Sequence, residues 1–339
     1  SDQGLASSPT TVDTLLMETG SRYDVIFDFK TVTPGNRVIM RNLGGDDPFG
    51  GGILMPTDPR AFPEMEKVMA FDVTLPLNNA VPDVAPTGGH LSAYDTVRSK
   101  DFGAYNKSLT PSRVRKVALF EGTDEYGRLQ PLLGTAEPAT DYQNNPIYWP
   151  DKPEYAYVGL LPEAQMEGSI AWHSPTTENP ALHSIEEWEI WNLTGDAHPV
   201  HLHLVHFEIL DRQEINFDSN ADGDGFIPDD ATPADDGIYL VSQPTVQHNS
   251  VAGDDSTYGT GFRIVHPSNP GDAYGDPVDQ PEGYVEDAPK DMVTALPGQI
   301  TRIRAEFDKP GRYVWHCHIL SHEDHEMMRV LHVGEGAFD

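Results

Sequence analysis

Hydrophobic positions in this chain come in short runs, none approaching the ~20 apolar residues of a membrane helix. YDVIFDF (23–29), NRVIMRN (36–42), EEWEIWNL (186–193), HLHLVHFEIL (201–210), QITRIRAEF (299–307) and RYVWHCHI (312–319) are rich in β-branched and aromatic residues, and each reads as a strand. Pro and Gly, at 29 and 30 residues, punctuate the runs, and no long amphipathic helix stands out. The pattern predicts an all-β chain of Greek-key β-barrels. SHEDHEMM (321–328) is the exception, a short turn or helix that brings His322 and Met327 back toward Cys317.

That return matters because Cys317 is the chain's single cysteine and stands in HCHILSHEDHEM, between His316 and His318. Side chains alternate across a strand. Cys317 therefore points to one face and His316 and His318 to the other. A thiolate, two imidazoles and a weak, distant methionine make the blue-copper electron-transfer set. Cys317, His322 and Met327 supply three of these, leaving His316 and His318 to a second metal site behind the strand. HPVHLH (198–203) completes the set. His201 and His203 share a strand face, whereas His198 lies beyond Pro199 at the strand entrance, so the economical assignment sends His198 to the mononuclear site.

Together HPVHLHLVHFEILDR, GRYVWHCHILSHEDHEMMRV, ALFEGTDEYGR and METGSRYDVIFDF resemble the multicopper oxidases, in particular the bacterial spore-coat laccase branch. The resemblance covers most of the chain and implies cupredoxin-like Greek-key barrels from the C-terminal part of a three-domain enzyme. It implies residues 1–75 as the rest of the middle cupredoxin domain, 76–115 as an interdomain linker, and 116–339 as the C-terminal copper domain. It further implies His198, Cys317, His322 and Met327 as type 1 copper ligands, His201 as a type 2 ligand, and His203, His316 and His318 as type 3 ligands. Glu323 matches an acid thought to deliver protons during oxygen reduction. The activity implied is one-electron oxidation of a small substrate (phenols, aromatic amines, bilirubin-like pigments or Mn(II)) coupled to four-electron reduction of O2, with about four coppers per assembly.

The trinuclear cluster of that family draws on four paired histidine motifs, and this chain has two, His201/His203 and His316/His318. The expectation is a partner, either an N-terminal fragment or a separate subunit, that carries two more HxH motifs and makes a heterodimer. The opening residues SDQGLASSPTTVDTLL contain no charged-apolar leader, so any export signal is expected on that partner and the setting extracellular or periplasmic.

Composition adds exclusions. A net charge of −32, from 54 acidic and 22 basic residues, argues against nucleic-acid backbones and anionic membranes as partners. One cysteine rules out an internal disulfide framework. Segment 211–298 is acidic and rich in Pro, Gly and Asp. It reads as a long loop, either shaping the approach of reducing substrate or forming a solvated insertion. Within it, Asp218, Asn220, Asp222, Asp224 and Asp229 have the spacing of an EF-hand-type loop and could hold calcium, or form a plain acidic turn. The rival to an oxidase is a non-enzymatic blue-copper electron-transfer or copper-binding protein, which would use the type 1 residues and leave both HxH pairs unexplained.

Overall fold

A computed structural model describes residues 2–4, 6, 9–44, 49–51, 66–80, 106–157, 159–246 and 259–335. Within them, β1 (Arg37–Arg41) and β2 (Lys67–Asp72) form a separate antiparallel pair. The run 23–29 is not a strand, since nothing in the described residues pairs with it. It contributes Phe27 and Phe29 instead, packed on Phe71 of β2 at 5.0 and 5.3 Å.

Among the described residues from 106 onward, the regular secondary structure is nearly all strand. In order come β3 (Arg113–Thr123), β4 (Leu129–Thr135), the one-turn helix α1 (Pro153–Tyr157), β5 (Gly168–Ile170), β6 (Ile185–Asn192), β7 (His198–Leu202) and β8 (Phe207–Ile215). Then follow β9 (Tyr239–Thr245), β10 (Gly259–Val265), β11 (Tyr274–Val278), β12 (Met292–Ala295), β13 (Gln299–Glu306), β14 (Gly311–Cys317), α2 (Leu320–Asp324) and β15 (Met328–Val333). Nine strands make one sheet, ordered β11-β8-β13-β6-β3-β10-β9 with β4 and β5 attached through β3. Four make the second, β12-β7-β14-β15. The architecture is the all-β one that the strand pattern predicted and the cupredoxin-like one that the resemblance implied.

The core lies between the sheets, and period-two alternation builds it. Val117 and Leu119 of β3, Trp188 and Ile190 of β6, and Ile303 and Ala305 of β13 meet Val200, Leu202, Val293, Trp315, Cys317 and Leu331 of the smaller sheet. The intervening Ala118, Phe120, Trp191 and Ile300 face a second core on the far side of the large sheet. Trp315 is fully buried, edge-on to Trp188 at 5.7 Å.

Three expectations change. Segment 211–298 is not a long loop: β8 to β12 run through it, and most of them extend the large sheet. Its Asp- and Pro-rich composition describes the turns, while Phe, Ile, Val and Tyr between them build strands. The run 201–210 is not one strand, because Leu204 takes a left-handed φ of 81° and the chain passes from the small sheet into the large one. Pro199 lies inside β7, not before it, and its carbonyl accepts the His318 N–H at 2.7 Å. As for the expected linker 76–115, residues 81–105 lie outside the described ones, and β3 already begins at Arg113.

Candidate metal centre

β7 and β14 are neighbours, with His201 paired to His316 and Val200 to Cys317. This register brings both histidine motifs together and separates them by face. α2 then folds back, closed by the Met327 N–H donating to the His322 carbonyl and the Cys317 N–H donating to the Met327 carbonyl, each at 3.0 Å.

On the core face, Cys317 Sγ lies 3.7 Å from His198 Nδ1 and 3.8 Å from His322 Nδ1, and the two nitrogens are 3.3 Å apart. A triangle with these sides has its centre about 2.1 Å from each atom, which suits the metal–nitrogen and metal–sulfur bonds of about 2.0–2.3 Å such donors make. Met327 is fully buried in the same core cluster as Cys317. Burial pushes the Cys317 thiol up to about 12 and, with the neighbouring His322, pushes His198 down to about 3. Both shifts reflect the cost of burying charge. The imidazole is thus held neutral and ready to ligate, and a bound cation would have to displace the thiol proton.

His198 is oriented from behind. Its Nε2–H donates to Thr194 Oγ1 at 2.8 Å, and that hydroxyl donates to Oδ1 of the fully buried Asn192 at 2.8 Å. This leaves Nδ1 bare toward Cys317. Thr194→Val, nearly isosteric, strands a buried imidazole N–H and takes from the Asn192 amide oxygen one of its two donors, leaving it the residue-194 N–H at 3.0 Å. Its expected cost to the metal-free protein is about 1–3 kcal/mol, read as a lower urea midpoint. An unchanged midpoint would refute the orienting role.

On the opposite face His201, His203 and His316 place one ligand atom each within 4.8 Å of one another. His203 Nε2 and His316 Nε2 are 3.1 Å apart. The His201 Nδ1–H donates to the Asp291 carbonyl at 2.8 Å, which turns Nε2 outward. Burial, then the neighbouring His201 and His316, pushes His203 down to about 4. His318, one residue past the end of β14, puts its ring 5.4 Å from that of His316 and 5.8 Å from that of His201. Glu323 Oε2 stands 3.3 Å from His316 Nδ1, so the acid singled out in the sequence does touch this cluster. His325 does not join the core-face trio and lies 3.7 Å from Asp124.

Among the described residues, the groups of three or more His, Cys, Asp or Glu side chains with ligand atoms within 4.8 Å of one another are the two histidine-containing ones, and the calcium candidates do not form a third. The Asp218 carboxylate accepts the N–H groups of Asn220, Ala234 and Asp235, and Asp222 accepts those of Asp224 and Phe226. These are turn hydrogen bonds, as such spacing in a short acidic segment allows. Thr194 and Asp291 carried no sequence signal, since a hydroxyl and a main-chain carbonyl act through position alone. Among the described residues no helix is long and apolar enough to cross a membrane.

A family model described as multicopper oxidase matches residues 149–237 and 259–337. A laccase of Bacillus subtilis is 29% identical over 334 residues, covering 98% of this chain and 45% of that protein. A bilirubin oxidase of Albifimbria verrucaria is 23% identical, covering 98% of this chain and 38% of that protein. This chain therefore spans under half the length of these curated relatives. Among solved structures, a multicopper oxidase from Aquifex aeolicus aligns over 91% of this chain and 43% of its own, at 15% identity and a TM-score of 0.39.

Proposed function

This chain belongs to the multicopper oxidase family, and from that premise we propose that it couples single-electron oxidation of a small reducing substrate to the reduction of O2. The observation that carries the reading is the pair of metal-competent clusters on opposite faces of one strand, joined through the consecutive residues His316, Cys317 and His318. Copper held there would supply the one-electron redox chemistry.

In this reading His198, Cys317, His322 and Met327 form the type 1 site. His198 is fully buried and His322 only partly so; His322 is thus the edge through which a substrate electron enters. Cys317 would link that electron, through the backbone, to His316 and His318. These two, with His203, are the type 3 ligands of this chain, and His201 is its type 2 ligand. Glu323, against His316 Nδ1, is the acid assigned to proton delivery on the oxygen side. The other half of the trinuclear cluster is assigned to an N-terminal fragment or separate subunit bearing two more HxH motifs, in an extracellular or periplasmic setting. Phenols, aromatic amines, bilirubin-like pigments and Mn(II) are the candidate reductants.

The rival, a one-copper electron carrier, explains the core-face trio but not the four imidazoles gathered behind it. Copper analysis with EPR separates the two. The oxidase reading expects about four coppers per assembly and a type 2 signal beside the type 1 signal. A single copper with only the type 1 signal would sink it.

Met327 offers a test of the axial position. A thioether stabilises Cu(II) more than a hydrocarbon does. Met327→Leu is therefore expected to raise the type 1 potential by roughly 60 mV or more, a tenfold loss of Cu(II) preference for a one-electron couple. A potential that stays put or falls in a redox titration removes Met327 from the ligand set.

A further inference from the structure

We propose that the turn Thr19–Arg22 is a positioning strap for the oxygen-side histidines, fixing His318 directly and His201 through Asp291. The inference rests on the reading of these histidines as metal ligands, but its geometry stands by itself.

Three contacts converge from this one turn. The Thr19 hydroxyl donates to the His318 carbonyl at 2.5 Å. Gly20, at a φ of +88°, lies flat against the His318 ring, so that a Cβ there would stand 2.8 Å from its Cδ2. Arg22 grips Asp291 with both arms, Nη1 on Oδ1 at 2.8 Å and Nη2 on Oδ2 at 2.7 Å. Its Nη1 also donates to the Gly20 carbonyl at 2.7 Å, which locks the turn to the same guanidinium. Two planar groups paired by parallel hydrogen bonds fix orientation as well as distance.

What the clamp holds is a main-chain acceptor. The Asp291 carbonyl receives His201 Nδ1–H at 2.8 Å and the Leu202 N–H at 3.1 Å. The carboxylate itself is 3.9 Å from His201 Nδ1 and is committed to Arg22 and to Gln3 Nε2. Next to it the buried Lys290 ammonium pairs with Asp2 at 2.9 Å, a second tie between the N-terminal segment and the residues before β12. Asp291 thus serves His201 by where its backbone sits, and Arg22 decides where that is. Outer-sphere partners of ligating histidines act this way, by fixing ring orientation and tautomer. Thr19, Gly20 and Arg22 are positioning residues, since none of them reaches the ligand atoms.

Two variants test the strap. Arg22→Met keeps the length of the side chain and removes the clamp. Gly20→Ala forces a methyl group into the His318 ring. In the metal-free protein, nitrogen NMR should find wild-type His201 fixed with its proton on Nδ1. Arg22→Met should turn it into a mixture of tautomers while His198 is unchanged. In the copper-loaded enzyme, Arg22→Met and Gly20→Ala should each weaken retention of oxygen-side copper by about 10- to 100-fold and alter the type 2 EPR signal, with the type 1 spectrum intact. An unaltered His201 tautomer in Arg22→Met overturns the proposal, as does wild-type oxygen-side copper in both variants. If wild-type enzyme itself lacks oxygen-side copper, the functional reading fails and the metal-free tautomer decides the strap.

Discussion

A Cys317→Ser variant is expected to be colourless, to hold one copper fewer per assembly, and to oxidise substrate no faster than the uncatalysed background. Cys317 is the thiolate donor of the core-face trio and also the link between His316 and His318. Serine keeps the size and the strand, but its hydroxyl does not ionise to a soft ligand for this site. The fold should not feel the change. The buried thiol, pushed up to about 12, is protonated in the metal-free protein, so serine replaces one small neutral group with another. Unfolding of the two metal-free proteins should differ by no more than about 1 kcal/mol. Retained colour would remove Cys317 from the site, and retained turnover without colour would remove it from the electron path.

The same thiol sets a pH dependence with a definite sign. Binding a metal releases its proton, so the apparent copper affinity of the metal-free chain should fall about tenfold for each unit of falling pH on this account. His198, near 3, and His203, near 4, stay neutral across the same range and add no further proton competition. A copper affinity flat between neutral and mildly acid pH would mean that the thiol does not ligate.

How much of this was legible in the sequence depended on whether a residue acts by type or by position. Cys317, His198 and His322 act by type, and the period of two in β14 was enough to send Cys317 one way and His316 the other. Strands with a complete apolar face, such as those holding Trp188 and Ile303, were also legible. The break at Leu204 was not, because apolar residues continue on both sides of it in HLHLVHFEIL and a left-handed residue leaves no trace in hydropathy. The acidic segment was ambiguous for the opposite reason: Asp218 and Asp222 have ligand spacing, and the same spacing serves turns in which their carboxylates accept nearby N–H groups. Thr194 and Arg22 are ordinary residues in sequence, and only the fold places them behind His198 and Asp291.

The scaffold beneath the site can be tested through a buried ion pair. Arg115 of β3 and Glu186 of β6 are 4% and 2% exposed and meet in two bonds of 2.8 Å. The same carboxylate accepts Trp188 Nε1–H at 3.0 Å, and the Thr177 carbonyl accepts from Arg115 at 3.2 Å. Trp188 in turn packs against Trp315, two residues before Cys317. Glu186→Ala leaves a buried guanidinium and an indole N–H without their acceptor, and is expected to cost about 3–5 kcal/mol. For a domain of this size that is a fall in melting temperature of roughly 6–20 °C. The loss is due to an uncompensated charge and not to the worth of the pair itself, because two buried charges spend most of their attraction on desolvation. Replacing both partners, as in Arg115→Met with Glu186→Leu, should therefore restore much of the stability lost by Glu186→Ala alone. A double variant as unstable as the single one would show that the pair acts through its shape against Trp188. Equal stability of Glu186→Ala and wild type would mean that Arg115 finds another acceptor or water.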